Sequence, residues 1–204
     1  AWLCMNSWGT GFGDGGYFWV SYYDSNVGIY NAAYTKIENT DNYDRIYQSD
    51  KCGWVGQLGY NKDSIYGANV FTAEGNETLK AASFYATGKD SQYELYVVRQ
   101  FEDETSLEKM IPVASGKLGN AGYYTVDFNQ GIEVDAGERY AVVLYIITPG
   151  SVHPMAIEYA ADEATENVDL DDGESYISAN GSKWVSVDTV EKSNLCIKAF
   201  SDNR

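Results

Sequence analysis

The sequence predicts an all-β protein, an antiparallel β-sandwich of jelly-roll type. Apolar and polar residues alternate over short runs, most clearly in Tyr93-Glu94-Leu95-Tyr96-Val97-Val98 and Tyr123-Tyr124-Thr125-Val126-Asp127-Phe128. That two-residue period belongs to half-buried strands. Twenty Gly against three Pro suit many tight turns between such runs. Only Glu102 to Met110 has a helical look, and it reads equally as a charged loop. Many strands, frequent turns and almost no helix together lead to a sandwich.

In chain order, Trp2-Leu3-Cys4-Met5-Asn6 reads as a short apolar strand that delivers Asn6. The glycine-rich Gly9 to Gly16 must be a loop with several positive φ angles, and Tyr17 to Tyr23 a further, buried strand. Residues 24–42 read as a connector. Turn-rich Asp24-Ser25-Asn26 and Glu38-Asn39-Thr40-Asp41-Asn42 flank Ile29 to Tyr34, which fits a strand or one helical turn. From residue 43 to 204 the pattern is one sandwich domain, with strands expected near 44–49, 66–73, 79–86, 91–99, 122–128, 139–147, 154–160, 175–179, 183–187 and 194–200. Asn180-Gly181 between two apolar runs is a hairpin signal.

With 204 residues and 44% hydrophobic content, the chain has enough apolar side chains for a real core. The longest apolar stretch, Tyr140 to Ile147, has the length of a buried strand, and no run reaches the length of a membrane-spanning helix. A net charge of −16 argues against nucleic acid and against anionic membranes, because phosphate binding depends on Lys and Arg. Tyr outnumbers Phe by 18 to 7, which suits half-buried pleated surfaces and sugar-facing or partner-facing sites. Three cysteines, Cys4, Cys52 and Cys196, are too few for a disulfide framework. Free buried thiols are the expectation, with Cys52–Cys196 the pair that an oxidising compartment would bridge.

The segment Asn6-Ser7-Trp8-Gly9-Thr10-Gly11-Phe12-Gly13, followed by Gly16-Tyr17-Phe18-Trp19-Val20, resembles the last signature of papain-like cysteine peptidases. Phe12 stands where that family usually has Trp. The resemblance implies that Asn6 accepts a hydrogen bond from the catalytic imidazole and fixes its tautomer, while Trp8 covers that bond from water. It also implies that the nucleophilic cysteine and the histidine lie upstream, the cysteine by more than about a hundred residues. Residues 1–23 are therefore expected to be the final strands of a peptidase domain whose Cys and His are supplied elsewhere, and this chain alone is expected not to hydrolyse peptides. Cys52-Gly53-Trp54 superficially resembles the nucleophile motif. Its position after Asn6 and the lack of the family's oxyanion-hole glutamine just before it argue against that role.

A second resemblance covers residues 43–201. The series Tyr47-Gln48-Ser49-Asp50, Gly53-Trp54, Ala68-Asn69-Val70-Phe71-Thr72-Ala73 and Leu79 to Tyr85 is similar to the lectin-like domain appended to papain-like peptidases of bacteria and archaea. So are Gly137 to Val143, Gly173 to Ser178, Trp184 and Asn194 to Phe200. The resemblance implies a secreted, cell-surface or wall-associated peptidase carrying a β-sandwich accessory domain; the fold alone does not imply sugar binding.

For glycan stacking, the candidates are Trp54, Trp184, Tyr60 and Tyr66. Core packing is the plainer reading for strand aromatics. His153, the single histidine, lies in a loop without a signalled nucleophile, and one His with scattered Cys does not supply a zinc site. Calcium is the candidate cofactor, at the acidic run Asp162-Glu163, Glu166, Asp169, Asp171-Asp172 and Glu174, although no EF-hand spacing is present and a solvated acidic loop explains it as well. Asn76-Glu77-Thr78 and Asn180-Gly181-Ser182 match glycosylation sequons, used only in a eukaryotic secretory pathway.

The partners expected are an upstream peptidase domain, a glycan or cell-wall polymer, and a second copy through the apolar residues 1–23. Alternative readings are a structural module that buttresses the peptidase, a cleavage product that completes an active site with its partner chain, and a carbohydrate-binding module with no proteolytic role.

Overall fold

The computed structural model describes residues 1–28, 32–171, 173–187 and 191–204, in two compact units, Ala1–Asn39 and Thr40–Arg204. In the first, β1 (Trp2–Met5) and β2 (Tyr17–Val20) form an antiparallel hairpin, in register from Trp2 opposite Val20 to Met5 opposite Tyr17. The loop between them turns so closely that a Cβ on Gly13, at φ 62°, would lie 2.2 Å from the Tyr17 carbonyl oxygen. The expectation of one buried strand over Tyr17 to Tyr23 is corrected. The strand stops at Val20, and Tyr17, Trp19, Tyr22 and Tyr23 are exposed. A lone two-stranded ribbon has no second layer to cover both of its faces. Of the ambiguous segment Ile29 to Tyr34, residues 29–31 lie outside the described residues, and 32–34 form no helix or strand.

The second unit is built from antiparallel strands, as its alternation predicts. They are β3 (Arg45–Tyr47), β4 (Gly56–Leu58), β5 (Ser64–Thr72), β6 (Glu77–Ala86), β7 (Ser91–Val98), β8 (Ile111–Leu118) and β9 (Gly122–Val134). They continue with β10 (Arg139–Ile147), β11 (Met155–Glu158), β12 (Ser175–Ser178), β13 (Val185–Ser186), β14 (Asn194–Leu195) and β15 (Ile197–Asn203). One sheet has six strands in the order β13-β12-β5-β10-β7-β8, another has four, β3-β15-β6-β9, and a third has three, β14-β11-β4.

The main core lies between them. Ile65, Leu95, Val97, Tyr140, Val142, Leu144 and Ile146 come from the six-stranded sheet, and Leu79, Ala82, Phe84, Ile197 and Ala199 from the four-stranded one. Two strands escaped the sequence reading. β4 is three residues long, and β8 carries Pro112 and Gly116, tolerable because it is an edge strand. β9 runs on past residue 128 to Val134. Glu102 to Met110 holds a single 3-10 turn, Glu104–Glu108, capped by Asp103 and Ser106. The hairpin expected at Asn180-Gly181 joins β12 to β13.

Two buried polar networks hold the strands in place, one joining different sheets and one within the four-stranded sheet. Asn69 on β5 donates through Nδ2 to the carbonyls of Leu195 (2.9 Å) and Ile197 (2.8 Å), and its Oδ1 accepts from the Ser175 hydroxyl (2.7 Å). It thus secures the junction where the chain passes from β14 to β15. Glu77, fully buried, accepts from the Tyr47 hydroxyl (2.7 Å), the Ser201 hydroxyl (2.6 Å) and the Gly75 N–H (2.8 Å), with the Arg45 guanidinium 3.2 Å away. No disulfide joins any of the three cysteines. Cys196 is a buried thiol as expected, Cys4 is half-buried, and Cys52 is exposed on a turn rather than buried.

Candidate functional site

Strand alternation sends Tyr66 of β5, Tyr145 of β10, and Glu94 and Tyr96 of β7 to the outer face of the six-stranded sheet, away from the main core. Tyr66, Tyr145 and Glu94 lie directly opposite one another on successive strands, with Ser115 of β8 next in the row. Part of this face is closed by a second apolar cluster of Val98, Phe101, Leu107 and Val143, against which Tyr66, Tyr96, Tyr176 and Trp184 pack. Where that cover ends, an open cleft of about 260 Å³ is lined by Tyr145, Ile147, Gln92, Glu94, Ser115 and Lys117.

The rings in this row are fixed before any ligand arrives. Tyr66 and Tyr145 stack at 4.2 Å with an interplanar angle of 22°. Gly181 also sits so close to Tyr66, at φ 75°, that a Cβ there would lie 3.1 Å from the ring. Trp184 meets Tyr66 edge-on at 6.2 Å, and its indole N–H is buried with no partner among the described residues. Tyr66 is therefore hemmed in by Tyr145, Gly181 and Trp184. Because β10 lies between β5 and β7, Tyr145 turns its remaining face toward Glu94 and the cleft.

The Tyr96 hydroxyl donates to the Glu94 carboxylate and so holds it beside that ring. Burial, together with the Glu94 charge, pushes the Tyr96 hydroxyl well above the usual phenol range. It pushes Tyr66 upward too, with smaller contributions from Tyr145 and Glu94. Both phenols stay protonated as donors.

Of the four aromatic residues singled out in the sequence, the structure brings together only Tyr66 and Trp184, and these act as backing for Tyr145. Tyr60 packs against the main core. Trp54 is half-buried beside Tyr85 (5.7 Å), which in turn meets Tyr123 (4.9 Å). Trp54 follows a well-held turn. Asn194 donates to the Ser49 carbonyl (3.1 Å), Lys198 pairs with Asp50 (2.7 Å), and the Cys52 N–H donates to Glu158. Burial pushes the Asp50 carboxyl up, against the pull of Lys198. Sequence reasoning missed Tyr145, Gln92, Ser115 and Lys117. Glu94 was visible within an alternating run but had no neighbour to give it meaning.

His153 is half-buried in a loop and lines a separate cleft of about 300 Å³ with Ser193 and Tyr159. Asp172 lies outside the described residues, and several of the other carboxylates in the acidic run serve nearby groups. Asp162 accepts from the N–H groups of Ala164 and Thr165, Asp169 from that of Asp171, and Glu174 from Arg139 and Tyr176. Among the described residues no three His, Cys, Asp or Glu side chains gather in a way that would hold a metal ion.

In the hairpin unit, Asn6 Nδ2 donates to the Gly16 carbonyl (2.8 Å) and Oδ1 accepts the Trp8 N–H (2.6 Å). The amide is thereby fixed at both ends, and Oδ1 keeps a second lone pair. Trp8 is 77% exposed, with its ring edge-on to Phe12 at 5.1 Å, and Phe12 packs on Phe18 at 5.7 Å.

Comparison with known proteins agrees with this architecture. In solved structures, the chain is similar to the clostridial cysteine protease Cwp84 after propeptide cleavage, with 25% identity and a TM-score of 0.81 over 100% of this chain and 51% of that one. It is similar also to the cysteine protease and lectin-like domains of Cwp84, a surface-layer-associated protein of Clostridium difficile, with 24% identity and a TM-score of 0.76 over 100% of this chain and 46% of that one. The chain spans about half the length of these structures. No curated protein matches the sequence. No helix among the described residues is long and apolar enough to cross a membrane. A lectin-like domain profile matches residues 46–201, nearly all of the second unit, and the chain belongs to the lectin-like domain family.

Proposed function

We propose that this chain is part of a papain-like cysteine peptidase of the cell surface, and that its lectin-like sandwich binds a saccharide and holds the enzyme at the wall. The cleft beside Tyr145 carries the reading. It offers one aromatic face, backed by a stacked tyrosine, next to an amide, a hydroxyl, a carboxylate and an amine. A sugar ring needs that combination: an aromatic plane against its C–H face, and donors and acceptors around its hydroxyls. Asn6 serves the peptidase half by presenting its second Oδ1 lone pair to the catalytic imidazole, with Trp8 shielding the bond. The exposed side chains of β1 and β2 then find their cover in the peptidase domain.

The test is titration calorimetry of the chain with wall-derived oligosaccharides, for the wild type and for Tyr145→Ala. Binding that weakens about tenfold in the variant, with the fold retained by circular dichroism, supports the reading; the loss matches one aromatic contact of roughly 1.4 kcal/mol. Absence of binding to any wall saccharide, or unchanged affinity in the variant, removes it.

A further inference from the structure

We infer that the cleft selects a saccharide bearing a free amino group, held as its ammonium between the Tyr145 ring and the Glu94 carboxylate. This inference rests on the saccharide reading above and narrows it to one ligand chemistry.

Glu94 is the carboxylate carried by the strands of its sheet, and it differs from the two carboxylates that immediately precede β10 and β12. Glu138 is paired with Arg99 (2.6 Å) and Glu174 with Arg139, whereas Glu94 has no cationic partner among the described residues. Among the described residues its side-chain hydrogen bond comes from Tyr96, a neutral donor that orients the carboxylate and leaves its charge uncompensated. It stands directly opposite Tyr145 on the neighbouring strand, so the negative face of a ring and a fixed carboxylate border the same space. A cation entering there gains from the ring quadrupole and from the carboxylate together. The net charge of −16 adds a long-range field of the same sign.

Lys117 is the positive group in the cleft. It lies opposite Gln92, while Glu94 lies opposite Ser115, and it makes no ion pair with Glu94. Lys117 stands on the edge strand β8, on the side of Glu94 away from Tyr145, so its charge drives an ammonium to the Tyr145 side. A sugar carrying only hydroxyls or acetamido groups can donate a hydrogen bond to Glu94 but brings no charge to neutralise it, and Gln92 and Ser115 already supply neutral hydrogen-bonding groups.

The experiment compares a glucosamine tetramer with an N-acetylglucosamine tetramer by titration calorimetry at mildly acidic pH, where the sugar amine is protonated. The proteins are the wild type, Glu94→Gln, and Glu166→Gln as a control that removes one exposed charge from a distant loop. We expect the wild type and Glu166→Gln to bind the amine-bearing tetramer about tenfold more tightly than the acetylated one. In Glu94→Gln that difference should vanish while binding of the acetylated tetramer persists. Equal binding of both tetramers by the wild type, or a preference that survives Glu94→Gln, overturns the amine selectivity and leaves the saccharide reading standing. Binding of neither tetramer overturns the selectivity too, and the wall oligosaccharides of the preceding test then decide the wider reading.

Discussion

Replacing Asn69 by Leu removes three buried hydrogen bonds and adds none. The Leu195 and Ile197 carbonyls lose their shared donor, and the Ser175 hydroxyl loses its acceptor. Asn69 is 1% exposed, so water cannot replace what the amide supplied. A stranded buried polar group costs about 1–3 kcal/mol, and Leu recovers part of that by burying more apolar surface. The expected net loss is about 3–5 kcal/mol, a large share of the roughly 5–15 kcal/mol that a domain has. Ser175→Ala strands only the Asn69 oxygen and should cost about 1–2 kcal/mol. Urea titration followed by tryptophan fluorescence measures both, with the slope unchanged if the native fold is kept. A loss below about 1 kcal/mol for Asn69→Leu, or one no larger than that of Ser175→Ala, would show that the β14–β15 junction does not depend on this amide.

Two further outcomes are expected. Burial alone would raise the Glu77 carboxyl, but hydrogen bonds from Ser201, Tyr47 and Gly75 and the charge of Arg45 outweigh it and hold the group below the usual carboxylate range. A lowered folded pKa stabilises the protein above the unfolded value, and that stability is lost as pH falls through the folded value. Glu77→Gln should therefore be less stable at neutral pH and show a flatter acid limb, and parallel melting profiles for the two proteins would contradict this. Gly181→Ala places a methyl group about 3 Å from the Tyr66 ring in a left-handed backbone, which should loosen the Tyr66–Tyr145 stack. Saccharide affinity should fall severalfold with a melting temperature only slightly lowered; affinity equal to wild type would separate the turn from the site.

The parts legible in the sequence are the local ones. Asn6 gains its side-chain partners from Trp8 and Gly16, within ten residues, so a contiguous motif carries the whole arrangement. The alternation over residues 93–98 correctly sets Glu94 and Tyr96 on one face. Tyr145 was hidden because β10 is apolar on both faces: one side fills the main core and the other meets the second cluster, so no period marks the residue that reaches the cleft. Trp54 and Tyr60 show the converse limit, since residue type suggests stacking but only long-range pairing decides which ring faces solvent. The Asn69 network joins residues 126 and 128 positions apart, beyond the reach of any window.

The strand order of the four-stranded sheet governs when the protein can be finished during its synthesis. β3 touches that sheet only through β15, with Tyr47 opposite Ala199, and β15 also supplies the partner on one side of β6. A chain leaving the ribosome carries β3 as an unpaired ribbon until residues 197–203 emerge, and non-local pairings of this kind form slowly. Until then the slot between β3 and β6 stays open, so the four-stranded layer is the last to be completed, and one edge of β6 remains available to a wrong partner for the whole of that time.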